Sequence, residues 1–196
     1  MMTRLEPKPL QIRLRGRSLI LREATVADAA FIVALRSNPL LSEFIHPTSP
    51  SVAIQEDWLM EYASRPDDYY FICEDAGGKP WGTIRIARVH GNAFETGSWV
   101  FCPDAPVGVS VQAMFLAYRF GFERLEYEVA VFDVRRGNKR VWKFHEYYGA
   151  KRNREDAENF YYSLDKTAFS RVWSRYGSIV ACPGPSNWLE EVHRAE

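Results

Sequence analysis

Between Glu126 and Lys151 the chain commits itself to a strand, a short turn and a helix in that order. Glu126 to Val134 carries the β-branched and aromatic residues of a strand, Arg135-Arg136-Gly137 is a turn, and Asn138 opens a helix that Gly149 stops. Asn is a good N-cap because its side-chain oxygen accepts an orphan N–H of the first turn, and Gly tolerates the left-handed conformation that ends a helix. At about 3.6 residues per turn, Asn138, Val141 and His145 fall on one face, which offers an amide, an apolar group and an imidazole. The residues alone leave two uses of that face open: a binding surface, or an ordinary amphipathic helix in which Asn138 only caps and His145 only packs.

The rest of the chain supplies the layers such a unit packs against. Ser18 to Arg22 is a first strand, and Thr25 with Asp28 forms a capping-box pattern for a helix to about Ser37, ended by Asn38-Pro39. A loop with Pro47 and Pro50 leads to a second helix around Ile54 to Ala63. Tyr69 to Glu74, Trp81 to Val89 and Glu95 to Cys102 are three strands joined by glycine-containing turns. The nearly continuous apolar run from Val109 to Phe122 is a helix buried on most sides. Asn159 to Leu164 is a last strand before a helix from Asp165 to about Tyr176. The order β-α-α-β-β-β-α-β-α-β-α predicts an α/β fold with a mixed sheet and helices on both faces. Residues 1–176 form one domain in this reading, and 177–196, with Pro183 and Pro185, an irregular C-terminal tail.

At 196 residues the chain is long enough for one substantial core and short for two. Its 25 basic residues balance 25 acidic ones, which removes the field that draws nucleic acid or a membrane surface. No apolar run is long enough to span a bilayer, and Met1 to Leu10 lacks the apolar core of a signal peptide. Cys73, Cys102 and Cys182 are odd in number and far apart, without metal-ligand spacing, so buried thiols in the cytoplasm and no metal site are expected.

The segment from Asn138 to Gly149 resembles the cofactor half of the GCN5-related N-acetyltransferases, in which an Asn after the fifth strand starts a helix that closes over the pantetheine arm of acetyl-CoA. The element order is similar from about Ser18 to Tyr176. Gly82-Thr83 after Lys79-Pro80-Trp81, Gly97-Ser98-Trp99-Val100, and Phe144-His145-Glu146 before Gly149 resemble the branch containing the ribosomal-protein-type enzymes and the acetyltransferases of nucleotide-linked amino sugars.

The resemblance implies a cofactor lying where two neighbouring parallel strands splay, here Glu95 to Cys102 and Glu126 to Val134. It assigns Trp99, Val100, Phe101, Asn138, Val141 and Phe144 to the cofactor, with Gly108, Val109 and Ser110 at its pyrophosphate. The family's Gly-rich pyrophosphate loop is absent; Asp104-Ala105-Pro106-Val107-Gly108-Val109-Ser110 stands in its place, keeping one glycine before a helix whose free N–H groups can still hold phosphate. Arg135, Arg136, Lys139, Arg140 and Lys143 are cations for the phosphates, Arg135 and Arg140 foremost, or else a solvated helix face. His145 stands seven residues after Asn138, where the family often has a proton-donating Tyr; Tyr148 or Tyr147 is the fallback, and Glu95 is a candidate base. His46, Trp58 and Trp81 are candidates for the acceptor pocket.

Three functions stay open on these residues. The first is acetyl-CoA-dependent transfer to a primary amine of a small molecule, a nucleotide-linked amino sugar. A protein N-terminus is the second acceptor. A binding protein that keeps the fold and has lost the cofactor is the third, motivated by the altered loop. A homodimer is compatible with all three.

Overall fold

The computed structural model describes residues 10–181 and 188–193. Among the described residues nine strands form one sheet, in the order β7 (Lys151–Glu155), β8 (Asn159–Asp165), β6 (Val129–Arg135), β5 (Ala93–Phe101), β4 (Pro80–Arg88), β3 (Asp68–Glu74), β2 (Ile20–Glu23), β1 (Leu10–Arg15) and β9 (Leu189–His193). Every neighbouring pair is antiparallel except β5 (Ala93–Phe101) with β6 (Val129–Arg135). The meander of three strands is β3 (Asp68–Glu74), β4 (Pro80–Arg88) and β5, as the turn signals predict.

The helices pack on both faces because β3 buries both of its faces. Phe71 and Cys73 point into the main core with α3 (Val109–Arg119) and α5 (Lys166–Val180), while Tyr70 and Ile72 join Ile32 of α1 (Ala29–Arg36) and Leu59 of α2 (Val52–Tyr62) on the other side. Helix α3 continues into a π-helical turn over Phe120–Arg124. Gly121 is required there, since a Cβ would lie 2.4 Å from the Phe94 ring.

The expected capping box forms: the Asp28 carboxylate accepts the Thr25 N–H at 2.7 Å and its hydroxyl at 3.0 Å. Arg22 of β2 (Ile20–Glu23) adds a bidentate pair to the same carboxylate. The helix between β6 and β8, α4 (Lys139–Tyr147), starts and stops where Asn138 and Gly149 predict.

Three strands lie outside the sequence reading. β1 (Leu10–Arg15) precedes the expected first strand and pairs with β2; Ile12 and Leu14 point into the core. β7 (Lys151–Glu155) is an edge strand whose five residues are all exposed, so it has no apolar alternation to detect. The third corrects the tail. The described residues of the expected irregular tail, 177–181 and 188–193, are ordered into the fold: α5 runs through Val180 and β9 (Leu189–His193) pairs with β1. Cys182, Pro183 and Pro185 lie outside the described residues. Among the described residues no helix is long and apolar enough to cross a membrane.

Candidate active site

The parallel pairing of β5 with β6 lasts for three residue pairs, Ala93 with Val129, Phe94 with Ala130 and Glu95 with Val131. Beyond that point each strand follows its outer partner. β6 stays paired with β8 (Asn159–Asp165) to its last residue, while β5 follows β4 through a bulge at which Ser98 takes a φ of 49° and the Thr83 hydroxyl donates to the Ser98 carbonyl at 2.7 Å. A wedge opens between them, with the edges of Thr96 to Val100 and Phe132 to Arg135 unpaired with each other. Such an edge is a ready partner for an extended chain of amides.

The wedge holds a cavity of about 370 Å³. Its strand walls are Thr96 to Val100 and Phe132 to Arg135; Asn138, Val141 and His145 of α4 close one side, and Met114 and Tyr118 of α3 another. Arg36 of α1 and Phe44, Ile45 and His46 of the following loop lie opposite. Glu95 lies at the root of the wedge, exposed, with the last parallel pair. The one-face arrangement of Asn138, Val141 and His145 is therefore the one the helical spacing predicts, and Asn138 caps α4 by accepting the Val141 N–H at 3.4 Å.

His145 is packed against Phe132, Trp99 and Phe144, with ring centroids 4.3, 5.6 and 5.5 Å away. Burial among these rings pushes its pKa down to about 3, so the imidazole is neutral around pH 7. Trp99 is fixed in turn, its indole N–H donating to the Ser110 carbonyl at 2.9 Å.

At the open end, α3 begins at Gly108, whose φ of 88° is left-handed, and no side chain caps the helix. Val109 is buried, and the Ser110 carbonyl serves Trp99. Phe101 packs against the core instead of lining the cavity, as does Phe144. Of the five cations, Arg135 is paired with Glu158 and Arg136 with Glu155, whereas Lys139, Arg140 and Lys143 have no carboxylate partner among the described residues.

The acceptor candidates separate. His46 lines the wedge, its ring 3.9 Å from an Asp133 oxygen and 3.5 Å from an Arg135 nitrogen. Trp58 lines a second cavity of about 350 Å³ that shares Arg36, Arg85 and Ser98 with the first. Trp81 lines neither; its N–H donates to Asp75 at 3.1 Å and Lys79 lies over its ring, because the tight turn before β4 folds it back. Tyr148 packs against Phe115, Phe144 and Tyr176 on the side of α4 away from the wedge, and Tyr147 is exposed and bonded to Tyr176. Three residues after His145, Tyr148 lies only about 60° from it round the helix, but it is the C-cap and leaves the helical backbone, and its ring packs on α3 and α5.

Among the polar residues at these cavities that escaped the sequence reading are Arg36, Gln55, Arg85, Tyr118 and Asp133. Tyr118 is buried, and desolvation pushes the pKa of its phenol up. Asp133 and Arg36 end elements already assigned, but nothing in their spacing distinguishes them from surface charges.

A mixed sheet splayed at its parallel pair, with helices starting at both open strand ends, leaves a free strand edge for an extended ligand. The acetyltransferase (GNAT) domain model matches residues 18–151, and the chain belongs to this family of N-acetyltransferases. Among solved structures, apo FdhC, described as a nucleotide-linked sugar GNAT, is 32% identical over 84% of this chain and 96% of that one, with a TM-score of 0.77. A GCN5-related N-acetyltransferase from Brucella melitensis is 17% identical over 90% of this chain and 86% of its own, with a TM-score of 0.69. Spermidine N-acetyltransferase from Vibrio cholerae, in complex with CoA and spermine, is 16% identical over 78% and 98%, also with a TM-score of 0.69. The last two establish fold alone. Among curated proteins no match was found.

Proposed function

We propose that the protein transfers an acetyl group from acetyl-CoA to the primary amine of a nucleotide-linked amino sugar, in the cytoplasm that its unpaired thiols Cys73 and Cys102 suit. The observation that carries the reading is the wedge, a free strand edge with Glu95 at its root and the Asn138 helix at its side. Likeness to the nucleotide-linked sugar GNAT supports the choice of acceptor.

The residues fit acetyl-CoA. The unpaired edge from Thr96 to Val100 suits pantetheine amides, and Gly97 leaves room beside it, since a Cβ there would meet only Glu95 at 4.0 Å. Asn138 and Val141 would hold the arm, and the start of α3 at Gly108 to Ser110, which no side chain caps, would meet the phosphates with Lys139, Arg140 and Lys143. Acetyl-CoA supplies the acetyl group as a thioester.

Acetyl transfer requires an amine without its extra proton, and Glu95 is the base at the root of the wedge that removes it. His145 is neutral, so it serves as a hydrogen-bond donor through its ring N–H toward the leaving sulphur rather than as an imidazolium acid. Asp133 and Glu95 line the cavity beside the guanidiniums of Arg36, Arg85 and Arg135, and they are its anionic partners for an amine that still carries its extra proton. Release of the CoA thiol, assayed over nucleotide-linked amino sugars, short peptides and spermidine, tests the reading. Turnover with the sugars is expected; turnover with peptides or spermidine and none with sugars sinks the acceptor assignment.

A further inference from the structure

The second cavity is built for charge of the opposite sign to the amine. Its lining contains two guanidiniums, Arg36 and Arg85, the hydroxyls of Thr48 and Ser49, and no carboxylate. The wedge next to it shares both guanidiniums and adds Arg135, but it sets two carboxylates, Glu95 and Asp133, against them.

Of the two guanidiniums, Arg85 is already answered, because Asp68 accepts from it twice, at 2.8 and 2.6 Å. Arg36 is not. Its Nε donates to the Thr48 hydroxyl at 2.6 Å and its Nη2 to the His46 carbonyl at 3.1 Å, both uncharged acceptors. No carboxylate lies within ion-pair distance of it among the described residues. A guanidinium has about five N–H donors in a fixed fork, so these two bonds hold the group in place and leave donors over. Arg36 lines both cavities and stands at their junction.

An independent observation points to the same space. Gln55 of α2 is only 9% exposed, lines this cavity, and its side chain makes no hydrogen bond to the described protein. The Gln55 amide is not sealed from solvent, so it opens on the cavity, where its N–H donors are free to meet a ligand. A positioned cation and an unpartnered amide facing one cavity match the oxygens of a phosphate, which accept several charge-assisted hydrogen bonds at once.

We propose that this cavity is a phosphate subsite for the acceptor, with Arg36 as its cation and Gln55 as its amide donor. The inference rests on the proposed amine transfer in the wedge and narrows the acceptor to a molecule carrying an amine at one end and phosphate at the other. A polyamine, cationic throughout, meets Arg36 unfavourably.

The test is calorimetric titration of inorganic pyrophosphate into the full chain saturated with CoA, so that the cofactor's own diphosphate site is filled. Pyrophosphate is expected to bind the parent, and Arg36→Gln to weaken it by about tenfold or more, the loss of one charge-assisted contact. Arg36→Lys should restore part of the binding. Gln55→Leu should weaken it severalfold, and because it removes a group with no partner in the protein it also serves should Arg36→Gln not fold. In turnover assays Arg36→Gln should raise the acceptor KM by at least a similar factor while acetyl-CoA affinity stays at the parent value. Absence of pyrophosphate binding to the CoA-saturated parent, or equal binding by Arg36→Gln and Gln55→Leu, overturns the subsite. Pyrophosphate binding that depends on Arg36, combined with turnover of none of the amino sugars, keeps the subsite and overturns the sugar instead.

Discussion

The wedge and the cavity beside it are constructed from different materials. The wedge is made by the backbone: two strands that part after Glu95 and Val131, with helices α3 and α4 starting at their open ends. The second cavity is made by side chains, Arg36, Gln55, Trp58 and Arg85, on helices and a strand that would fold much the same with other residues there. A backbone site tolerates sequence change, which accounts for a shared fold at 16 or 17% identity with enzymes such as the spermidine N-acetyltransferase. A side-chain site does not tolerate it, and specificity within such a fold resides in sites of that kind.

The comparison breaks most easily at Glu95. If the wedge performs the chemistry and the second cavity only binds, Glu95→Gln should lower turnover by about two to four orders of magnitude, the usual contribution of general acid–base catalysis. Acetyl-CoA affinity and pyrophosphate binding should stay near the parent values. Near-normal turnover in a folded Glu95→Gln protein would move the base elsewhere.

His145→Phe has a smaller expected effect and carries two readouts. Losing a hydrogen-bond donor to a charged sulphur costs about 1.5–3 kcal/mol, so turnover should drop by about ten- to a hundredfold. The second readout is stability against pH. The unfolded chain protonates this histidine near pH 6.5 and the folded one only near 3, so between those values the unfolded state binds more protons. Stability is then complete above pH 6.5 and falls as pH drops through the window, by up to about 1.4 kcal/mol per pH unit. Urea unfolding from pH 7 to 4 should show a shallower loss in His145→Phe than in the parent. An unchanged slope would mean that the imidazole is solvated and free to act as an acid.

The backbone part of this molecule was the legible part. Asn138 and Gly149 bound α4 because capping chemistry is local, and the meander follows from glycine turns at either end of β4. β1 carries a legible alternation from Gln11 to Arg15, hidden beside a proline-rich start, whereas β7 has none, since an exposed edge strand needs no apolar residue. The site was legible only where one element sets the geometry, as with Asn138, Val141 and His145 on one helical face. Arg36, Gln55 and Ser98 meet across α1, α2 and β5, and no local spacing encodes a meeting of three elements. Trp81 and Tyr148 show the converse: residue type suggested chemistry, and packing turned both side chains elsewhere.

Trp58 is the place to sharpen the comparison. Its ring stacks on Tyr62 at 5.5 Å, the guanidiniums of Arg65 and Arg85 lie over it at 5.2 and 5.4 Å, and the edge contact to Tyr70 is 5.7 Å. A base stacked on an aromatic contributes about 1–3 kcal/mol, roughly five- to a hundredfold or more in affinity, but that requires a free face. Trp58 is better placed to hold Arg85 against the cavity than to receive a base. Trp58→Ala should therefore raise the acceptor KM by only about two- to fivefold, the scale of one cation–π contact of about 0.5–1 kcal/mol, with acetyl-CoA affinity unchanged. A rise of thirtyfold or more in a protein of unaltered stability would mean that the indole leaves Tyr62 to stack on the acceptor, and that the second cavity is shaped by its ligand rather than ready for it.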